Sequence, residues 1–244
     1  MSRSRAVLFV ASAVGFLSVM ASHGAAAPGR PPTPAITAVA APDAEGTVDA
    51  VDRALRTTVV LEGDGIYGAG ILVDPPHGTV LTAWHVVEDM KDPRVTAYDG
   101  RVAPGQLLAK DTKLDLALLS VPGLRSPDLA PPRWGDAARL RPGEEVYAIG
   151  SPRRMAFTVS RGIVSYVGRP MEGLRYVQLD MAINDGNSGG PVVTKRGELV
   201  GIMSFILRRA QGLAFALPAT IAAERFPQQI PTPSLAGLTR WLSR

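Results

Sequence analysis

No cysteine occurs anywhere in the 244 residues. That excludes disulfides and thiolate zinc sites, so a folded body here must be held by its core alone. Histidine is nearly as scarce, with three in the chain, and no grouping of residues suggests a metal or an organic cofactor. An excess of one charge is lacking too. The net charge is +4, half of it from Arg3 and Arg5 at the extreme N-terminus, too little to argue for a nucleic-acid partner. Arg139, Arg141, Arg153, Arg154, Arg161, Arg169 and Arg175 are scattered through the second half among only a few aromatics, and Arg208-Arg209 stand in tandem. They read as a solvated face, with at most weak attraction to an anionic membrane surface. A long apolar run is also missing. Ala6 to Met20 comes nearest and falls short of the about 20 residues that a helix needs to span a bilayer.

What is present begins with a leader. The basic Arg3 and Arg5, the short apolar stretch and the small residues of Ala21-Ser22-His23-Gly24-Ala25-Ala26-Ala27 make residues 1–27 a signal peptide and the chain an exported one, periplasmic or secreted. An uncleaved anchor is the alternative. Residues 28–46, rich in Pro and Ala, read as an extended spacer. From about Thr47 short apolar segments alternate with Gly and Pro, of which the chain holds 25 and 21, and this predicts many short strands rather than long helices. Residues 47–226 are enough for one all-β unit of two barrels. The loop Pro122 to Pro142, broken by Pro127, Pro131 and Pro132, divides them into a first barrel at about 47–122 and a second at about 140–218.

One loop organises the rest. Asp185-Gly186-Asn187-Ser188-Gly189-Gly190-Pro191 lies between the apolar runs Tyr176 to Ile183 and Val192 to Met203. A serine between glycines at a loop tip can turn its hydroxyl outward while neighbouring N–H groups turn inward, where they can hold an oxyanion. The blander reading is a simple turn, since these are turn residues. A serine hydroxyl needs a base, and the base works best when a carboxylate steadies it. His23 falls in the leader, and His77, in Asp74-Pro75-Pro76-His77-Gly78, reads as a solvated loop residue. His85 directly follows the buried-looking strand Thr79-Val80-Leu81-Thr82-Ala83-Trp84; as a lone histidine it would be a packed core residue. Thirty residues later, Lys113-Leu114-Asp115-Leu116-Ala117-Leu118-Leu119 sets an aspartate inside an apolar strand, where it needs a partner. That partner is His85 or, as the structural alternative, Lys113.

Thr82-Ala83-Trp84-His85 resembles the Thr-Ala-x-His segment of trypsin-fold serine proteases, and the order His85, Asp115, Ser188 is that of the chymotrypsin-like triad. Tyr67-Gly68-Ala69-Gly70, Asp115-Leu116-Ala117-Leu118-Leu119, Ala148-Ile149-Gly150-Ser151-Pro152, Val159 to Ser165, Gln178 to Asn184, the serine loop and Leu213-Ala214-Phe215-Ala216-Leu217-Pro218 together resemble the HtrA (Deg) family over roughly residues 65–220. The resemblance implies two six-stranded antiparallel β-barrels with the active site in the cleft between them. It implies a serine endopeptidase in which Ser188 is the nucleophile, His85 the base, Asp115 its orienting acid, and the N–H groups of Gly186 and Ser188 the oxyanion hole. It further implies that Ala182 lies at the base of the pocket for the residue before the cut. Ser204, Phe205 and Ile206 belong to the strand that pairs with substrate, and Ile206 narrows the pocket, so small or medium aliphatic residues should precede the cut. Asp185 replaces a proline common in the family, which should loosen the loop, and Asn187 excludes activation by pairing with a new N-terminus.

After Pro218 a short helix is expected to Phe226, and a second in the tail 227–244, where Ser234 caps Leu235, Leu238, Trp241 and Leu242 on one face. That face either packs on the second barrel or docks elsewhere. The chain stops before a PDZ domain of the kind typical of the family. The N-terminal segment on which a trimer depends has no match here, which leaves the oligomer open. The expected partners are unfolded polypeptide substrates. The competing function is a peptide-binding or chaperone-like module whose active site is rarely assembled.

Overall fold

The computed structural model describes residues 43–206, 212–231 and 241; of residues 43–45 and 206 it describes the backbone only. The expected leader, most of the spacer, the tail helix apart from Trp241, and the Ile206 side chain lie outside the described residues. The described residues all fall in one compact unit.

The chain enters through a helix, α1 (Asp43–Thr57), where strands were expected from Thr47 on. Ala50, Ala54 and Leu55 recur at helical spacing and face the core, and Asp52 pairs with Arg56 one turn away at 2.8 Å. Small residues let α1 lie close to the second sheet. A Cβ placed on Gly197 would come within 2.9 Å of the Ala50 carbonyl.

Seven strands follow: β1 (Thr58–Gly63), β2 (Ile66–Asp74), β3 (Thr79–Ala83), β4 (Arg94–Ala97), β5 (Val102–Pro104), β6 (Gln106–Asp111) and β7 (Leu116–Ser120). They form an antiparallel sheet in the order β5-β4-β1-β2-β3-β7-β6. Its two edge strands, β5 and β6, are separated by Gly105 alone, so the sheet curls until its edges meet in the chain itself. Counted through that residue, β5 and β6 are one bent strand of a six-stranded barrel. Between β3 and β4 lies one helical turn, α2 (Trp84–Val87).

The second half contains β8 (Arg133–Trp134), β9 (Glu145–Gly150), β10 (Thr158–Met171), β11 (Leu174–Met181), β12 (Pro191–Thr194), β13 (Glu198–Ile206) and β14 (Ala214–Pro218), followed by α3 (Ala219–Arg225). Strands β12-β9-β10-β11-β14-β13 form a ring that the β12–β13 pairing closes, and β8 joins β13 in parallel outside it. The chymotrypsin-like two-barrel fold is therefore present, one barrel closed by hydrogen bonds and one by a curled sheet. Each sheet has its own apolar cluster, and a third, around Ile71, Leu118, Ile149, Ile202 and Phe215, joins the two. Trp241 packs against the second sheet and donates its backbone N–H to Glu224 Oε1 at 3.0 Å.

Two connections between the sheets position the site. β2 packs against β9, and β3 against β13. The residue after β3 therefore emerges beside the loop that leads into β12.

Candidate active site

His85 sits in the first turn of α2, where a helix leaves its N–H groups without internal partners. Asp115 takes up that vacancy. Its Oδ1 accepts the His85 backbone N–H at 2.9 Å, and its Oδ2 lies 2.7 Å from His85 Nδ1. Its own carbonyl accepts the Trp84 N–H at 3.0 Å. Three bonds thus fix the imidazole with Nε2 directed away from the carboxylate. Asp115 is not inside a strand, as its apolar neighbours suggested, but closes the turn before β7 with φ of 53°. Asp tolerates this left-handed conformation better than most residues, and the conformation is what turns the carboxylate back toward α2. Lys113 is not its partner among the described residues.

The serine loop is pinned to both barrels. The Ser188 carbonyl accepts from Ala69 N–H in β2 at 2.8 Å, and Gly189 N–H donates to Met203 in β13 at 2.7 Å. The Thr82 hydroxyl, three residues before His85, donates to the Ala69 carbonyl at 2.7 Å. The strand that carries the histidine is therefore tied to the loop that carries the serine. Gly189 has φ of 80°, and a Cβ there would meet Thr82 Oγ1 at 2.2 Å. Gly186 has φ of 100°, and its Cβ would meet the Ser151 carbonyl at 2.1 Å. Only glycine fits at either place.

Among the described residues, the N–H groups of Gly186 and Ser188 donate to no backbone acceptor, while those of Asn187, Gly189 and Gly190 all do. His85, Gly186, Ser188, Ser204 and Phe205 line one cleft of about 640 Å³. The Ser188 hydroxyl donates to the Ser204 carbonyl at 3.4 Å, a long bond, and none joins it to His85. Such hydroxyl–imidazole bonds commonly tighten only when substrate is bound.

A family model for the trypsin-like peptidase domain matches residues 68–202. The chain belongs to the trypsin-like peptidase family. Among curated relatives, it is 40% identical over 162 residues to a putative serine protease HhoB of Synechocystis, covering 64% of this chain and 38% of the relative. It is 40% identical over 163 residues to a probable periplasmic serine endoprotease DegP-like of Pseudomonas putida, covering 64% of this chain and 33% of that one. It spans about a third of the length of these relatives. Among solved structures, an HtrA-type protease AlgW with tripeptide matches 75% of this chain and 63% of its own at 32% identity and a TM-score of 0.69. A serine endoprotease from Yersinia pestis matches 75% of this chain and 66% of its own at 29% identity, with a TM-score of 0.67.

In this trypsin-like peptidase the electrostatics follow the hydrogen bonds. The Asp115 hydrogen bond, aided by its charge and that of Glu88, holds the His85 imidazolium above the ordinary imidazole range, and outweighs burial, which acts the other way. Tyr176 is a residue that pattern reading missed. Burial chiefly, then the Asp115 charge, pushes its phenol up, and its ring meets Phe205 edge-on at 5.2 Å. Asn187 is buried with its Nδ2 unpartnered among the described residues.

Past Met203, β13 has no strand partner among the described residues on the side facing the serine loop, because β12 pairs with it only as far as Ile202. The backbone of Ser204 to Ile206 is thereby open to an added strand. Ala182, one residue beyond β11, is exposed and is not among the residues lining the cleft. Arg153 and Arg154, read from sequence as part of a solvated face, do line it.

Proposed function

We propose that the protein is an exported serine endopeptidase acting on unfolded or exposed polypeptides of the cell envelope. The observation that carries this is the His85–Asp115 pair at 2.7 Å opening onto the same cleft as Ser188 and two unengaged backbone N–H groups. A substrate chain adds to the free edge of β13 as an extra strand. Ser188 Oγ attacks the carbonyl carbon as His85 Nε2 takes the hydroxyl proton, and Asp115 steadies the imidazolium. The N–H groups of Gly186 and Ser188 hold the oxygen that becomes negative. The carbon–nitrogen bond then breaks, His85 hands its proton to the leaving amine, and water repeats the sequence on the acyl-enzyme. The preference for small aliphatic residues before the cut rests on the resemblance alone, since Ala182, the uncharged residue that it assigns to the pocket base, stands exposed and off the cleft lining. Names of relatives that include the word periplasmic support the envelope as the working compartment.

Digestion of an unfolded casein-like protein tests this. We expect cuts after Val, Ala and Ile that vanish in Ser188→Ala, whose kcat should fall by about 10⁶-fold. Cuts fastest after Arg would overturn the specificity. Tight peptide binding without any cleavage would replace the endopeptidase with the binding-module reading.

A further inference from the structure

The strongest feature that the proposed chemistry leaves unused is a pair of cations in the cleft. Arg153 and Arg154 follow β9 in the segment from Ser151 to Phe157 and share the cleft wall with Gly65 of the β1–β2 turn and with Ile66 and Tyr67 at the start of β2. Neither guanidinium is paired with a carboxylate among the described residues. The Arg154 guanidinium instead stacks over the Tyr67 ring, 3.9 Å from its centroid, a geometry that fixes the group and leaves its N–H edge free. The backbone holding both is unusual. Arg153 and Arg154 have φ of 50° and 66°, and Phe157 has 57°, conformations that ordinary side chains avoid and that cluster where surrounding structure enforces them for function. The segment is tied to the serine loop itself, since Ser151 N–H donates to the Gly186 carbonyl at 3.0 Å and Arg153 N–H to the Asp185 carbonyl at 3.3 Å.

The position of this wall decides which part of a substrate it meets. The acyl half of the substrate pairs with Ser204 to Ile206 on β13. The half released as an amine must leave past His85, which protonates it, along the wall that β13 does not form. That wall is Tyr67 with Arg153 and Arg154. Among the described residues Asp185 is the one acidic side chain lining the cleft, against the two arginines, which leaves an excess of positive charge there.

We propose that Arg153 and Arg154 select acidic side chains in the first two residues after the cut. This rests on the endopeptidase reading, and the two can fail separately. Asp or Glu there would accept a charge-assisted bond from a guanidinium already oriented by Tyr67, whereas Lys or Arg would be repelled.

The test uses two quenched peptides identical before the cut, with Val at the cleaved bond, and carrying Glu-Glu or Lys-Lys after it. We expect the wild-type protein to favour the Glu peptide at least tenfold in kcat/KM, with the ratio shrinking as salt is raised. Arg153→Gly/Arg154→Gly removes both charges while keeping the left-handed backbone accessible and should bring the ratio near one; Arg153→Lys/Arg154→Lys should retain part of it. Equal rates for the two peptides in the wild type, or a preference that survives in the glycine variant, would overturn the proposal. Binding of the same peptides to Ser188→Ala separates the two readings. Tighter binding of the Glu peptide there upholds the charge selection even if no peptide is cleaved, and equal binding together with equal cleavage ends it.

Discussion

In the proposed mechanism, activity and stability depend on opposite forms of the His85 ring. The base must be neutral to accept a proton, yet Asp115 favours the protonated ring, so its pKa stands above the usual imidazole value. We therefore expect kcat/KM to rise with pH through an apparent pKa above that of a free histidine. Asp115→Asn should lower this apparent pKa and cut kcat by about 10⁴-fold. The stability linkage has the reverse sign. A raised folded-state pKa adds stability that is full below the unfolded value and lost as pH rises through the folded one. A pH–rate profile of wild type and Asp115→Asn, run beside thermal melts, checks both signs. The three residues of the pair and the loop were legible in the sequence because each stands in an unusual setting: a serine among glycines, a histidine after an apolar strand, an aspartate in apolar company. The turn that presents Asp115 was not, because a left-handed residue leaves no mark on hydrophobic periodicity. Arg153 and Arg154 are exposed, as a solvated face requires, but they line the cleft as well. Sequence spacing gives their charge but not the strained loop that carries them into the cleft.

Among elements, the join between β6 and α3 bears on the site from a distance. Asp111, the last residue of β6, accepts the backbone N–H groups of Lys113 and Leu114 at 3.0 and 3.1 Å and pairs with Arg225 of α3 at 2.5 Å. It thereby organises the turn that ends at Asp115 and ties it to the other half of the molecule. Burial acts to raise the Asp111 pKa, but Arg225 and the two N–H groups outweigh it and hold the carboxyl below the ordinary range. Its contribution is therefore present at neutral pH and lost as pH falls through the depressed folded value. Asp111→Ala should destabilise the fold by about 1–2 kcal/mol and lower kcat about tenfold with little change in KM, because the turn and not the substrate strand is disturbed. Denaturant melts and steady-state kinetics on the same preparation check this. Equal melts and kinetics for the variant and wild type would show that the turn holds itself. Strand alternation and Gly/Pro punctuation made the all-β body legible. The helix α1 was missed because its residues follow a Pro/Ala-rich stretch and bury mainly small alanines, a weak signal beside the strands that follow.

For the whole molecule, the division into two barrels makes the cleft a seam. One barrel supplies His85 and Asp115, the other supplies the serine loop and the open edge of β13, and the Thr82–Ala69–Ser188 bonds hold the seam in register. Sequence could give the order of the parts but not this register, since the Ala69–Ser188 bond that crosses the seam joins residues more than a hundred positions apart. The central claim is that Ser188 is an activated nucleophile. Labelling of the purified protein with a fluorophosphonate, with the adduct located by mass spectrometry, tests it most directly. The account predicts one adduct, on Ser188, formed faster as pH rises through the His85 transition and absent in His85→Ala. No adduct at any pH, or one on another serine, would contradict it.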